Sequence, residues 1–150
     1  MEMSNRLSSN IIILRNINGF SQEKVAEMIG ISRQAYAKWE KGDTIPDVEK
    51  CARLAELYET TVDALINFNV SQENVVIAPP PKGKHFFGSV IVNERGQIVI
   101  PKKAREKMRI KDGERLILLG DEKEGLALVK ADVFQERIKA TMKLLEKNSN

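Results

Sequence analysis

The chain has 150 residues, 30% of them charged and 42% hydrophobic, with a net charge of +3; this is an ordinary soluble composition with room for one or two compact domains. Its longest apolar runs, Ile11–Leu14 and Val75–Ala78, are far too short to cross a bilayer and no signal-peptide core opens the chain, so a cytoplasmic protein is expected. One cysteine, Cys51, excludes an intrachain disulfide, and one histidine, His85, leaves too few ligands for a zinc site; no phosphate-cradling glycine loop or Ser/His/Asp set suggests an enzyme, a cofactor or a small-molecule ligand.

Charge is unevenly divided. Residues 1–66 carry 8 Lys and Arg against 10 Asp and Glu, net −2, and residues 67–150 carry 16 against 11, net +5. Any anionic partner of the first half must therefore be met by local placement of basic side chains, which suffices because charges more than about 10 Å away are screened.

Leu7, Ile11 and Leu14 follow i, i+4, i+7 spacing and predict a first helix ending near Asn16–Gly19. Ser21 is a natural cap for a second, with Gln22 in its first turn, where side chain and backbone N–H groups can meet a phosphate. Gly30-Ile31 turns the chain and Ser32 caps a third helix running to Gly42. In that helix Tyr36 and Trp39 fall on one side, for burial, while Arg33, Gln34, Lys38 and Lys41 point elsewhere. Arg matches the edge of guanine and Gln that of adenine in the DNA major groove. Helix, glycine turn, helix is the helix-turn-helix pattern.

Ile45-Pro46-Asp47 opens a fourth helix whose inner face is expected to hold Val48, Cys51, Ala52, Ala55 and Tyr58. Thr60 or Thr61 caps a short fifth with Val62, Leu65 and Ile66. Residues 67–84 are expected to be a linker, made stiff and extended by Pro79-Pro80-Pro81, with a weak indication of an edge strand at Val75–Ile77.

Beyond it, Val90–Val92 and Gln97–Ile100 predict two strands joined by a turn at Asn93–Gly96, and Pro101 suits the first position of a helix reaching about Met108. Leu116–Leu119 and Leu126–Val129 predict a second hairpin. Asp132, with Gln135 three residues on, is expected to cap a last helix bearing Phe134, Ile138, Met142 and Leu145 on one face, packing on the sheet or adding a dimer contact; Asn148–Asn150 are expected to fray.

Gln22, Ala26, Gly30, Ser32-Arg33-Gln34 and Trp39-Glu40-Lys41-Gly42, in register from about Leu7 to Ile66, resemble the Xre/Cro-type helix-turn-helix domain of phage and bacterial repressors. The resemblance implies a five-helix DNA-binding domain over residues 1–66. It also implies a buried ion pair between Arg15 and Glu40, and a phosphate contact for Gln22. Arg33 and Gln34 are the expected base readers with Lys38 a third. Gln22, Ser32, Lys41 and Thr44 are the expected phosphate contacts.

Gly88–Pro101, Ala104-Arg105 and Ile110–Glu114 resemble the AbrB/SpoVT/MazE swapped-hairpin domain. That resemblance implies, over residues 85–131, a β barrel interlaced from two chains and so an obligate homodimer, with residues 132–150 as a C-terminal helix and tail. Relatives that bind DNA through this barrel use basic residues where this chain has Val90, Ile91, Gln97 and Glu106, with Arg105 alone kept. Lys102, Lys103 and Arg105 are therefore only a secondary candidate contact; a solvated helix face is the preferred reading of that run.

The whole is expected to be a bacterial α+β, two-domain transcriptional regulator, a repressor acting as a dimer on an inverted-repeat operator in double-stranded DNA. Two alternatives are an antitoxin that also controls its own promoter and a protein-assembly module that does not bind DNA. Antitoxins of this kind carry extended, often acidic tails, whereas the last segment here is of mixed charge and amphipathic.

Overall fold

Side-chain caps mark where helices begin in this chain. In the computed structural model, which describes residues 2–72 and 75–148, Ser21, Ser32, Asp47 and Thr61 each accept the backbone N–H three residues on. Each such cap stabilises its helix by about 1 kcal/mol. They open α2 (Gln22–Ile29), α3 (Arg33–Lys41), α4 (Val48–Leu57) and α5 (Val62–Asn67), which follow α1 (Glu2–Ile17). Of the two threonines the sequence left open, Thr61 is the cap. Gly30 and Gly42 close α2 and α3 at φ of 72° and 77°, where a residue with a Cβ is strained.

The chain divides after Ser89 into two units. The core of the first gathers Leu7, Ile11 and Leu14 of α1, Val25, Ala26 and Ile29 of α2, Tyr36 and Trp39 of α3, Cys51, Leu54 and Tyr58 from α4 and its end, and Leu65 of α5. Two expected core positions lie outside it: Val48 is 83% exposed and Ala52 is exposed, while Leu54 is fully buried. Val48 is the first residue of α4. Asn10, also fully buried, donates its Nδ2 to the carbonyls of Leu65 at 2.8 Å and Phe68 at 2.9 Å, tying α1 to the end of α5.

The segment expected to be an extended spacer instead folds back. Ser71-Gln72 (β1) pairs antiparallel with Val75-Val76 (β2), Ser71 opposite Val76, which supplies the strand indicated at Val75–Ile77. Downstream, Pro79 is buried, and Thr60 Oγ1 and the N–H of Lys82 bind the carbonyls of Pro80 and Glu59.

Glu59 and Arg109 adopt φ of 53° and 54°, a region that costs a residue with a Cβ about 1–2 kcal/mol. Glycine avoids that cost but loses about 0.5–1 kcal/mol of chain entropy. Glu59→Gly is accordingly expected to raise stability by about 0.5–1 kcal/mol in a urea titration, and a loss of stability would contradict the strain.

The second unit holds α6 (Lys102–Lys107), β3 (Leu116–Asp121), β4 (Gly125–Lys130) and α7 (Ala131–Asn148). β3 and β4 form an antiparallel hairpin with Leu116 opposite Lys130, its turn held by Asp121, which accepts the N–H groups of Lys123 and Glu124. Lys130 Nζ meets Glu114 Oε1 at 2.7 Å, joining the hairpin's end to the turn before it.

The two strands expected at Val90–Val92 and Gln97–Ile100 do not appear as a ladder. Only their turn forms, with Asn93 Oδ1 accepting the N–H of Arg95 and Gln97 and the N–H of Asn93 bonding Gln97 O. Val90, Ile91, Val92, Ile98 and Val99 are all exposed, and among the described residues of this unit Ala104 alone is buried. Two further boundaries shift. Pro101 precedes α6 as its N-cap rather than entering it. α7 begins at Ala131, so Asp132 lies in its first turn, accepting the N–H of Val133. On α7, Phe134 is half-buried while Ile138, Met142 and Leu145 are exposed. Ser149 and Asn150, expected to fray, lie outside the described residues.

Candidate nucleic-acid interface

α3 is fixed from its inner side. Tyr36 is fully buried and meets Trp39 edge-on, ring centroids 6.0 Å apart, and its hydroxyl lies 3.2 Å from that of Tyr58. Burial pushes the pKa of both phenols up, so they stay neutral and act as hydrogen-bonding core residues.

Next to Trp39, Glu40 is the polar centre of the head. Arg15 grips its carboxylate with two donors, Nε to Oε1 at 2.5 Å and Nη2 to Oε2 at 3.2 Å, and gives Nη1 to the carbonyl of Phe20. The hydrogen bond to Glu40 raises the Arg15 pKa further and secures its charge. The Ser8 hydroxyl donates to the Glu40 carbonyl. The ion pair implied by the family resemblance is thus present, and it couples α1 to the helix that carries the candidate readers.

With Tyr36, Trp39 and Glu40 turned inward, Arg33, Gln34, Lys38 and Lys41 are exposed. Arg33 and Gln34 occupy the first turn of α3, the end of a recognition helix that meets base edges. Ser32 uses its oxygen to accept Ala35 N–H at 3.2 Å, which leaves its hydroxyl proton to donate. Thr44 is exposed in the loop after α3. Gln22 is half-buried and donates Nε2 to Glu40 Oε2 at 2.7 Å; its amide carries a second hydrogen, so this bond aims the group without exhausting it.

Arg53, which sequence reasoning passed over, donates Nη1 to Ile29 O at 3.2 Å and Nη2 to Glu49 at 2.7 Å, binding α4 to the end of α2 beside the Gly30 turn. The i,i+4 spacing of Glu49 and Arg53 signals their pairing, but nothing in the sequence marks the contact with Ile29, which lies 24 residues away.

In the second unit Lys102, Lys103 and Arg105 are exposed on α6. Lys102 sits 3.7 Å from Glu106, and Arg105 donates Nε to Ile100 O. Exposed pairs of this kind contribute about 0–1 kcal/mol. Among the described residues, no helix is long and apolar enough to cross a membrane.

Residues 11–65 match the helix-turn-helix family, and residues 90–134 match the family described as antidote-toxin recognition MazE, bacterial antitoxin. The uncharacterized HTH-type transcriptional regulator YgzD of Bacillus subtilis (strain 168) is 33% identical over 61 residues, 41% of this chain and 89% of that protein. The SPbeta prophage-derived HTH-type transcriptional regulator YonR of the same organism is 35% identical over 52 residues, 35% of this chain and 48% of YonR. The chain spans about half the length, or less, of several curated relatives it matches. Among solved structures, the P22 c2 repressor protein in complex with a synthetic operator aligns at 24% identity and a TM-score of 0.41, over 42% of this chain and 96% of that one.

Proposed function

The chain belongs to the helix-turn-helix family of transcriptional regulators, and on that premise we propose that it is a repressor acting as a homodimer on an inverted-repeat operator. The carrying observation is the division of α3. Tyr36 and Trp39 are buried and Glu40 is bound to Arg15, so Arg33 and Gln34 are left exposed at the helix start. Arg33 reads a guanine edge, Gln34 an adenine edge, and Lys38 a third position. Gln22, Ser32, Lys41 and Thr44 hold phosphates and set the register. Lys102, Lys103 and Arg105 provide at most a supporting phosphate surface.

The second unit pairs the heads. Its apolar segments at Val90–Val92 and Ile98–Ile100 have no strand partner among the described residues, and interlacing two copies into one barrel would complete both. A two-fold dimer then sets its recognition helices about 34 Å apart, or a multiple of that, on one face of the DNA. The match of residues 90–134 to an antitoxin family favours a second reading, an antitoxin that represses its own promoter. A neighbouring gene that is toxic when expressed alone would select it.

Arg33→Ala is expected to lower operator affinity by about 1–3 kcal/mol and to relax preference at one base pair. Lys41→Ala is expected to weaken all sequences alike and to lower the salt slope by about one. Selection from a random DNA pool, followed by titration at several salt concentrations, separates the two. An Arg33→Ala variant with the wild-type sequence preference would contradict the assignment of Arg33 to a base.

A further inference from the structure

We propose that the segment from Ile77 to Phe87 is a strap belonging to the helical head, and that it fixes the point from which the head is tethered. The observations form a continuous line. The N–H of Ile77 bonds Val70 O at 2.8 Å. Pro79 is buried, and Thr60, itself 6% exposed, donates its hydroxyl to Pro80 O at 2.7 Å. The N–H of Lys82 bonds Glu59 O at 2.8 Å, that of Lys84 closes a turn onto Pro81 O, and the ring of Phe86 meets Phe68 edge-on at 6.3 Å.

The chemistry suits the prolines. They have no N–H to leave unsatisfied on docking, and they offer carbonyls, which the Thr60 hydroxyl meets. Glu59, in its left-handed conformation, turns its own carbonyl toward the strap. Gly88, whose φ of 92° lies outside what other residues adopt with ease, stands one residue before the last of the unit.

The consequence concerns DNA spacing and rests on the dimeric operator reading above. An undocked, flexible tether from Ile77 to Ser89 has 13 residues and a typical span of about 20 Å. DNA rises about 3.4 Å per base pair, so such a tether would tolerate spacings differing by several base pairs. With the strap docked, the tether is one or two residues, each reaching about 3.5 Å, and the tolerance of each head shrinks to about one or two base pairs.

The test uses the full chain. Amide exchange at Lys82, measured without DNA, is expected to run about 100-fold slower than in an unstructured peptide and to approach that peptide's rate in Thr60→Val and in the Pro79→Gly/Pro80→Gly double variant. Trp39 fluorescence checks that each variant keeps its head folded. In a library of inverted repeats with varied half-site spacing, the wild type is expected to hold one spacing to within about two base pairs for each head, and the variants to bind a wider range of spacings within about threefold of the best. Exchange at the unstructured rate in the wild type would overturn the docking. A broad wild-type spacing profile, or identical profiles in all three proteins, would overturn the positioning role. Retention of no operator at any spacing, with Lys82 protected, would bring down the operator reading and the strap's part in it.

Discussion

Arg15→Met is expected to cost the helical head about 3–5 kcal/mol, the usual consequence of removing one partner from a buried ion pair. The Glu40 side chain is 7% exposed and that of Arg15 17%, so the carboxylate cannot turn to bulk water for the two donors it loses. It would keep Gln22 Nε2, and the Phe20 carbonyl would lose its Arg15 Nη1 donor. Against a domain stability of about 5–15 kcal/mol this is a large fraction. The exposed Lys24–Glu27 pair gives the contrast: both side chains are more than half exposed, and its removal should change stability by about 0–1 kcal/mol. Trp39 is the single tryptophan and is buried in the head, so a urea titration followed by its fluorescence reads the head directly. Arg15→Met/Glu40→Leu should recover much of the loss, because the unpaired charge is then absent. A single-variant loss below about 1 kcal/mol would show that the pair is solvated and does not fix α3.

The helical head was legible because its signals are local. Caps at Ser21, Ser32 and Asp47 and the glycines at 30 and 42 act within one turn, and Tyr36 and Trp39 declare the inner face of α3 by their spacing. The Arg15–Glu40 pair, 25 residues apart, came from the resemblance and not from spacing. What stayed hidden depends on partners distant in the chain and carries no periodicity. Asn10 reaches Leu65 and Phe68, Arg53 reaches Ile29, and Thr60 reaches Pro80. The prolines at 79–81 show why: rigidity is a property of the residues themselves, but whether a rigid segment extends or docks is decided by the surface beside it.

The second unit inverts this relation. Its first hairpin carries a strong strand pattern, β-branched residues on both sides of an Asn93–Gly96 turn, yet one chain forms the turn without the ladder. Strand propensity reports fitness for a pleated, half-buried surface, and among the described residues no strand pairs with these segments. The pattern fits the dimer proposed above, in which a second copy would cover these apolar side chains, exposed in the single chain.

That argument yields the other large effect, in a protein carrying Ile91→Asp and Val99→Asp together. Ile91 is 89% exposed and Val99 79%, with Leu126 at 79% and Leu118 at 61% on the other hairpin. A two-stranded hairpin alone is marginal in water, and a unit of this size that buries little needs a partner to fold stably. Covering an Ile or Val side chain stabilises by about 1.5–3 kcal/mol, whereas an unpaired carboxylate placed there costs several. The paired substitution, applied twice in a two-fold dimer, should exceed what such an interface can absorb. Light scattering is expected to give two chains for the wild type and one for the variant, with Trp39 fluorescence unchanged because the head is stabilised separately. Operator affinity should fall about 100- to 10,000-fold as two linked contacts become one, while the sequence preference at each half-site persists. A variant that keeps the mass of two chains, or a wild type of one chain with its second unit stably folded, would remove the barrel from the mechanism and leave each head to find DNA alone.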